Sequence, residues 1–146
     1  MADPYLTHPR GWEGTTLLPN PEREFIIDAC SGSTPPTRSE RYWDGEYAWL
    51  TPKEITSASS SIYVSKSERK ITDAGLAKAG GLFPTETVML TKRAPVGCVV
   101  VNAVPMATNQ GFLNFRCGPR LRPLYLAYWL RVNRPYLDKV ANGSTY

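Results

Sequence analysis

The chain has few of the residues that build covalent or metal-dependent sites. It contains one histidine, His8, and three cysteines, Cys30, Cys98 and Cys117, which form no Cys-x-x-Cys pair. An odd and dispersed set of cysteines disfavours a disulfide framework or a zinc site, and it fits a reducing compartment. We therefore expect no metal site in the chain and a cytoplasmic location.

The sequence also has no long apolar run. No stretch approaches the roughly 20 apolar residues that a membrane-spanning helix needs, and the start from Met1 to Pro4 does not resemble a secretory signal. With 146 residues, of which 42% are hydrophobic and 21% charged, the chain can bury one ordinary core. These values predict one globular domain that has no membrane partner.

Catalytic motifs are missing too. The sequence has no P-loop and no Gly-x-Gly-x-x-Gly, and the nearest approach to the Asn/Asp-Pro-Pro-aromatic loop of DNA amino-methyltransferases, Asn133 to Tyr136, lacks the first proline. His8 stands in an irregular segment, and the carboxylates Glu22 and Glu24 have no apolar setting that would make one an acid and the other a base. We expect no catalytic residue and no cofactor in this chain.

Charge is present but unevenly distributed along the sequence. Residues 1–62 hold five Lys or Arg against nine Asp or Glu, residues 63–111 hold six against three, and residues 112–146 hold six against one. This asymmetry indicates a basic face that can attract phosphates, although the formal net charge is only +4. The alternative is an ordinary solvated distribution of Lys and Arg over the second half.

The pattern of apolar residues predicts an α+β fold, a twisted and mostly antiparallel sheet with short helices and a C-terminal helical segment. Residues 1–24 are interpreted as an irregular lead-in. Strands are expected at 25–27 (an edge strand or one helical turn), 47–50, 62–64, 87–90, 98–101 and 112–117. Helices are expected from Pro52, capped by Thr51 and Glu54, at 72–78 before Gly80 and Gly81, and at 123–132, with Pro135 interrupting the chain before 136–140.

Two polar loops follow apolar strands near the middle of the chain. One holds Lys92 and Arg93 in a turn shaped by proline and glycine, and the other holds Asn109 and Gln110. Lys and Arg suit phosphates and guanine edges, whereas Asn and Gln suit adenine. The combination favours recognition of an anionic, base-bearing polymer, and the alternative is a plain solvated hairpin tip.

Seven short stretches then occur in an order typical of one family: Ser31 to Pro35, Tyr42 to Gly45, Trp49 to Glu54, Lys70 to Thr72 with Gly75 and Leu76, Thr87 to Gly97, Thr108 to Phe112, and Ala141 to Thr145. No single stretch is specific, but seven in order at plausible spacings are hard to obtain by chance. The chain resembles a target recognition domain of the specificity subunit of type I restriction–modification systems.

The resemblance implies sequence-specific recognition of double-stranded DNA, with residues 25–146 forming a domain that reads one half of a bipartite target. It implies that the chain stops just before the long spacer helix of such subunits. The implied partners are a modification methyltransferase that uses S-adenosylmethionine and a restriction translocase that uses ATP and Mg²⁺. They would bind through regions largely outside this chain.

The residues expected to contact DNA are polar or cationic and come from four groups of loop residues. They are Thr34, Arg38, Tyr42, Lys53, Lys66, Arg69, Lys92, Arg93, Asn109 and Gln110. A solvated surface is the alternative for the polar groups, and Tyr42 could equally pack beneath its loop.

Two other functions are compatible with the sequence. The chain could be a protein-interaction module that docks through Tyr128, Trp129 and Tyr136, or a non-functional fragment of a specificity subunit. Salt separates the first alternative from DNA binding, because added salt weakens phosphate contacts steeply and a mostly apolar interface very little.

Overall fold

The computed structural model describes residues 10, 17–20, 22, 24–56, 61–93 and 95–143. The strands in these ranges are β1 Ile26–Cys30, β2 Trp43–Leu50, β3 Tyr63–Val64, β4 Arg69–Ile71, β5 Val88–Thr91, β6 Val99–Asn102, β7 Ala107–Thr108 and β8 Phe112–Cys117. The helices are α1 Pro52–Thr56, α2 Asp73–Ala79, α3 Pro123–Val132 and α4 Arg134–Gly143, and a 3-10 turn spans Glu40–Tyr42. None of these helices is long and apolar enough to cross a membrane. Most of the lead-in predicted for 1–24, including His8, lies outside the described residues.

The strands form two sheets. The first has the order β1-β8-β5-β6-β3, with antiparallel pairs except between β6 and β3. The second has the order β4-β2-β7, in which β4 is antiparallel and β7 parallel to β2. The predicted α+β class with mostly antiparallel pairing is confirmed, but the strands are divided between two sheets where one was expected.

The division follows from strands that are apolar on both faces. Successive side chains of a strand point to opposite sides, so on β5 Val88 and Leu90 pack in one cluster with α3, whereas Met89 packs in another with Leu50 and Phe112. Because both faces need cover, α3 lies on one face of the five-stranded sheet and the three-stranded sheet lies on the other. The outer face of the three-stranded sheet is covered in turn by α2.

The ends of α1 and α2 follow the local signals in the sequence. The Thr51 backbone N–H donates to a Glu54 carboxylate oxygen at 2.6 Å, and the Thr51 hydroxyl donates to the same oxygen at 2.8 Å. At α2, the Thr72 hydroxyl accepts from the Gly75 N–H, and Gly80 ends the helix in the left-handed region with φ 92°. Both predicted helix starts and the glycine stop are confirmed.

The C-terminal helical segment breaks after Val132, where the first helix was predicted to end, and the second helix already begins at Arg134. Asn133 ends α3, and Pro135 lies in the first turn of α4, where its missing N–H has no helical partner to lose. The predicted interruption between the two helices is therefore present, and it lies at Asn133, two residues before Pro135.

Several strands differ from their predicted bounds. Ile26 and Ile27 belong to the edge strand β1, which begins one residue later than predicted, so the alternative of a helical turn is wrong. The strand β2 already begins at Trp43. The short strands β4 and β7 were not predicted. Arg69, expected in a loop, opens β4, and Thr108, expected to open a loop, ends β7.

Candidate nucleic-acid interface

Polar loops from both sheets meet at one end of the molecule. The strands β1, β2, β5 and β7 end there and β8 begins there, because β8 is antiparallel to β1 and β5 while β7 is parallel to β2. The loops comprise residues 31–39, 92–98 and 109–111. A backbone hydrogen bond joins the second loop to the third, and side-chain hydrogen bonds join the first loop to the other two. We call these three segments the polar loop cluster. Residue 94 lies outside the described part of the chain.

The 31–39 loop is bonded directly to the 109–111 loop and its preceding strand. The Ser33 N–H donates to the Thr108 carbonyl at 3.0 Å, and the Thr34 hydroxyl donates to the Gln110 side-chain oxygen at 2.5 Å. Gly32 is essential for this approach, since a Cβ atom there would lie 1.9 Å from the Thr108 carbonyl oxygen. Only glycine lets the two loops touch in this way.

The 92–98 loop is shaped by the buried Thr91. The Thr91 hydroxyl donates to the Pro95 carbonyl at 2.7 Å and accepts from the Cys98 N–H at 2.9 Å. The Gly97 N–H donates to the Thr91 carbonyl at 3.0 Å, and Gly97 has φ 88°. The Lys92 N–H donates to the Gly111 carbonyl at 2.9 Å, next to the last pair of β5 and β8. The loop is therefore a shaped turn bonded at both of its ends.

The two cations of this loop differ in their contacts. The Lys92 ammonium donates to the Ser31 hydroxyl, which brings the 31–39 and 92–98 loops together. Arg93 is exposed and has no hydrogen-bond or ion-pair partner among the described residues. Neither cation is paired with a carboxylate within the described ranges, so both can bind an anion.

The two amides use their oxygens inside the cluster. The Asn109 side-chain oxygen accepts from the Gly111 N–H at 2.8 Å, and the Gln110 oxygen accepts from Thr34. Their amide NH₂ groups have no partner among the described residues. The amides thus shape the loop and still present donors, which suit acceptor atoms on bases or phosphates.

Two buried tryptophans support the 31–39 loop from below. The indole N–H of Trp43 donates to the Pro36 carbonyl and that of Trp49 donates to the Ser33 carbonyl, both at 3.0 Å. The rings contact edge to face, with centroids 5.0 Å apart. Tyr42 is half-buried and packs against the core cluster that contains both tryptophans. Of the two alternatives for Tyr42, packing beneath its loop therefore describes its position.

The remaining cations predicted to contact DNA lie around the cluster or away from it. Arg38 is exposed on the 31–39 loop, and Lys53 is exposed on α1, whose Pro52 packs closely against Gly111. The Arg69 guanidinium lies 3.5 Å from the centroid of the Trp43 ring, so it reaches the cluster only through that ring.

Lys66 lies apart from the other predicted cations, since no described contact links it to the three loops. It lines an open groove together with Glu46, Tyr47, Lys70, Leu82 and Val104. Of the ten predicted residues, the structure brings Thr34, Arg38, Lys92, Arg93, Asn109 and Gln110 into the polar loop cluster.

Four residues that shape the cluster are not among the predicted contact residues. They are Gly32, Thr91, Thr108 and Trp49. The sequence indicates two of them, Gly32 and Thr91. A glycine between serines and a threonine that ends an apolar strand are both turn-forming patterns. The roles of Trp49 and Thr108 depend on contacts between distant segments, which local pattern does not reveal.

An ion pair lies on the β1–β8 pair below the cluster. The Arg116 guanidinium contacts the Asp28 carboxylate at 2.5 Å. Burial, followed by the nearby Asp28 charge, raises the pKa of the Cys30 thiol at the end of β1. The thiol therefore stays neutral near pH 7 and adds no negative charge beside the Lys92 loop.

The geometry provides a set of donors and cations at one end of the two sheets, which is suited to binding an extended anion. In the described part of the chain, no three His, Cys, Asp or Glu side chains are grouped so that they could hold a metal ion.

Residues 26–146 match the family model described as the type I restriction modification DNA specificity domain. The chain belongs to this family, and the resemblance predicted from its motifs is confirmed.

A curated relative agrees with the family match. Over 124 residues the chain is 36% identical to the type I restriction enzyme MjaIX specificity subunit of Methanocaldococcus jannaschii. The match covers 83% of this chain and 28% of that protein. The chain thus spans less than a third of the length of this curated relative.

Solved structures share the fold. The HsdS subunit from Thermoanaerobacter tengcongensis matches 95% of this chain with a TM-score of 0.68 and 21% identity, over 32% of its own length. A chain from a structural study of assembly and conformational transition in the type I R-M system matches 77% of this chain, over 26% of its own length, with a TM-score of 0.58 and 19% identity. At these identities the likeness concerns the fold alone.

Proposed function

We propose that this chain recognises a specific sequence in double-stranded DNA and reads one half of a bipartite target for a type I restriction–modification complex. The observation that carries the proposal is the convergence of three loops, joined by backbone and side-chain hydrogen bonds, at one end of both sheets. Membership in the DNA specificity domain family supports the same function.

The loop chemistry suggests how the recognition would work. Lys92 would exchange the neutral Ser31 hydroxyl for a phosphate oxygen, because a hydrogen bond between two charged groups is stronger. Phosphate contacts by Lys92, Arg93 and Arg38 would fix the register on the duplex. The amide donors of Asn109 and Gln110 would then reach acceptor atoms on base edges. Because the loops are already shaped, little conformational entropy is lost on binding.

The activities of the complex would lie outside this chain. We propose that the chain itself is non-catalytic and that it works in the cytoplasm with a modification methyltransferase and a restriction translocase. S-adenosylmethionine, ATP and Mg²⁺ would be bound by those partners. The curated relative supports this division because it is a specificity subunit by name.

The experiment is selection from a randomised duplex DNA pool with the 146-residue chain, at low and at moderate salt. We expect enrichment of a motif of a few base pairs. Joint Lys92→Ala and Arg93→Ala substitution should weaken binding to that motif at least about tenfold, since each removes a charged contact. Joint Lys78→Ala and Lys139→Ala substitution is the control, because it removes the same charge from exposed positions on α2 and α4.

The outcomes separate three cases. An enriched motif that the loop variant binds poorly and the control variant binds normally would support recognition by the polar loop cluster. Binding that is sensitive to salt but enriches no motif would reduce the function to a basic surface. A folded chain that binds no duplex at either salt would contradict the proposal.

An exposed aromatic surface on α3 favours a second candidate, a protein-interaction module. Tyr125, Tyr128 and Val132 are 50%, 52% and 78% exposed, and they recur at the spacing of one helix face. Trp129, predicted to belong to this surface, is half-buried and packs against the core. A partner bound there would show little salt dependence, in contrast to DNA.

A further inference from the structure

The 92–98 loop rests on the junction between α3 and α4. A Cβ atom at Gly97 would lie 2.9 Å from Cγ of Arg134 and 3.6 Å from its Cδ and Nε. The aliphatic stem of Arg134 therefore covers the face of Gly97 that lacks a side chain. Gly97 is buried and has φ 88°, so both its conformation and its close neighbour require glycine.

The junction that carries Arg134 is itself fixed. The Arg131 guanidinium donates to the Val99 carbonyl at 3.0 Å and to the Ser61 carbonyl at 3.3 Å, which ties α3 to the start of β6. Asn133 closes α3 through its side-chain bond to the Trp129 carbonyl at 2.8 Å, and its own carbonyl accepts from the N–H of Leu137 in α4. The first residue of α4 is thus held in place beside the loop.

We propose that Arg134 is a positioning residue for the loop that carries Lys92 and Arg93. This inference rests on the proposed function. The stem of an arginine can pack on apolar or backbone surface while its guanidinium stays in water, and among the described residues the Arg134 guanidinium has no hydrogen-bond or ion-pair partner. Removing the stem opens space behind Gly97. The loop then keeps the Thr91 bonds and the contacts of Lys92 with Gly111 and Ser31, but it loses its support from α4. Lys92 and Arg93 are therefore held less firmly.

The alternative role for Arg134 is a direct phosphate contact, and two substitutions distinguish the roles. Arg134→Ala removes both stem and charge, whereas Arg134→Met keeps an unbranched stem and removes only the charge. Lys139→Ala is the matched control, because it removes an exposed cation from the same helix without touching the loop. Each variant of the 146-residue chain is titrated with the selected duplex and with a scrambled duplex over a range of salt concentrations.

A positioning role predicts a loss of discrimination. Arg134→Ala should reduce the preference for the selected over the scrambled duplex about tenfold, with the salt dependence unchanged, and Arg134→Met should restore most of the preference. Equal loss in both variants on both duplexes, with the salt slope lowered by about one, would assign a phosphate contact and overturn the inference. Arg134→Ala behaving like Lys139→Ala would also overturn it.

A measurement without DNA separates this inference from the proposed function. The Gly97 N–H donates to the Thr91 carbonyl, so its hydrogen exchange reports on the loop. Arg134→Ala should speed this exchange about tenfold, and Arg134→Met and Lys139→Ala should not. A wild-type chain without sequence preference would contradict the proposed function, and the Gly97 exchange would still decide whether Arg134 holds the loop.

Discussion

At the scale of single residues, the shape of the polar loop cluster depends on buried side chains beneath its 31–39 loop. Trp43 and Trp49 are buried in the cluster beneath α2, yet their indole N–H groups hold two carbonyls of the 31–39 loop. Moving either ring would open the core. The conformation of the 31–39 loop is therefore coupled to the packing of the core. Each of the two indole hydrogen bonds contributes about 1 kcal/mol net, which is enough to favour this loop conformation over others.

The Trp49→Phe substitution tests this coupling. Phenylalanine keeps an aromatic ring in the core but removes the donor to the Ser33 carbonyl, so we expect the free energy of unfolding to fall by about 1–3 kcal/mol. Affinity for the selected DNA should fall as well, because the 31–39 loop loses its support. Urea unfolding and DNA titration measure the two effects.

Trp129→Phe is the control for that substitution. Trp129 is half-buried and its indole N–H has no partner among the described residues, so the same change of side chain removes no hydrogen bond. It should leave DNA affinity unchanged. If both variants bound DNA as the wild type does, the shape of the 31–39 loop would not depend on the Trp49 donor.

The sequence predicts which residue types stand in the loops better than it predicts their contacts. Lys92, Arg93, Asn109 and Gln110 are recognisable because each follows an apolar strand closely. The bond from the Gly111 N–H to the Asn109 oxygen is a local turn that asparagine commonly forms. The bond between the Gln110 oxygen and Thr34 is not recognisable, since it spans 76 positions of sequence. Such contacts depend on topology, which local pattern does not contain.

At the scale of elements, the predicted ones share strong local signals. The helix α2 has a threonine cap and a glycine stop, and β5 and β6 are β-branched or apolar runs between turns. The missed strands β4 and β7 are three and two residues long, and their hydrogen bonds come from the distant β2. The second sheet consists of β4, β2 and β7. Since β4 and β7 are not predicted from the sequence, the second sheet is not predicted either.

The cap of α2 gives a prediction for an element that lies away from the loops. The Thr72 hydroxyl accepts from the Gly75 N–H and donates to the Arg41 carbonyl at 2.6 Å. Thr72→Ala should lower the free energy of unfolding by about 1 kcal/mol, and Thr72→Ser, which keeps the hydroxyl, should cost less. Chemical unfolding measures both variants.

DNA binding is the second measurement on Thr72→Ala. Since α2 covers the outer face of the second sheet, the folded variant should bind the selected duplex with wild-type affinity. A loss of affinity comparable to that of the Lys92 and Arg93 variant would mean that the contacts with DNA extend from the polar loop cluster to α2.

At the scale of the whole molecule, the uneven charge along the sequence is partly neutralised by the fold. The basic C-terminal part pairs with the acidic N-terminal part, through Arg116 with Asp28 and Arg120 with Glu24 at 3.1 Å. The antiparallel pairing of β1 and β8 brings these segments together. Among the described residues, the polar loop cluster combines two cations that have no carboxylate partner, Lys92 and Arg93, with the amide donors of Asn109 and Gln110.

This local charge predicts which cations set the salt dependence of DNA binding. Each phosphate contact contributes about −0.9 to the slope of log K against log salt. Lys92→Ala should make the slope shallower by about one, because Lys92 lies in the cluster. Lys66→Ala removes the same side chain from the groove beside Glu46 and Tyr47, which no described contact links to the three loops, and it should leave the slope unchanged. Titration of both variants over a range of salt measures this difference. If Lys66→Ala changed the slope as much as Lys92→Ala, the duplex would have to reach the groove that Lys66 lines, and the path of the DNA over the domain would be different from the one that the loops define.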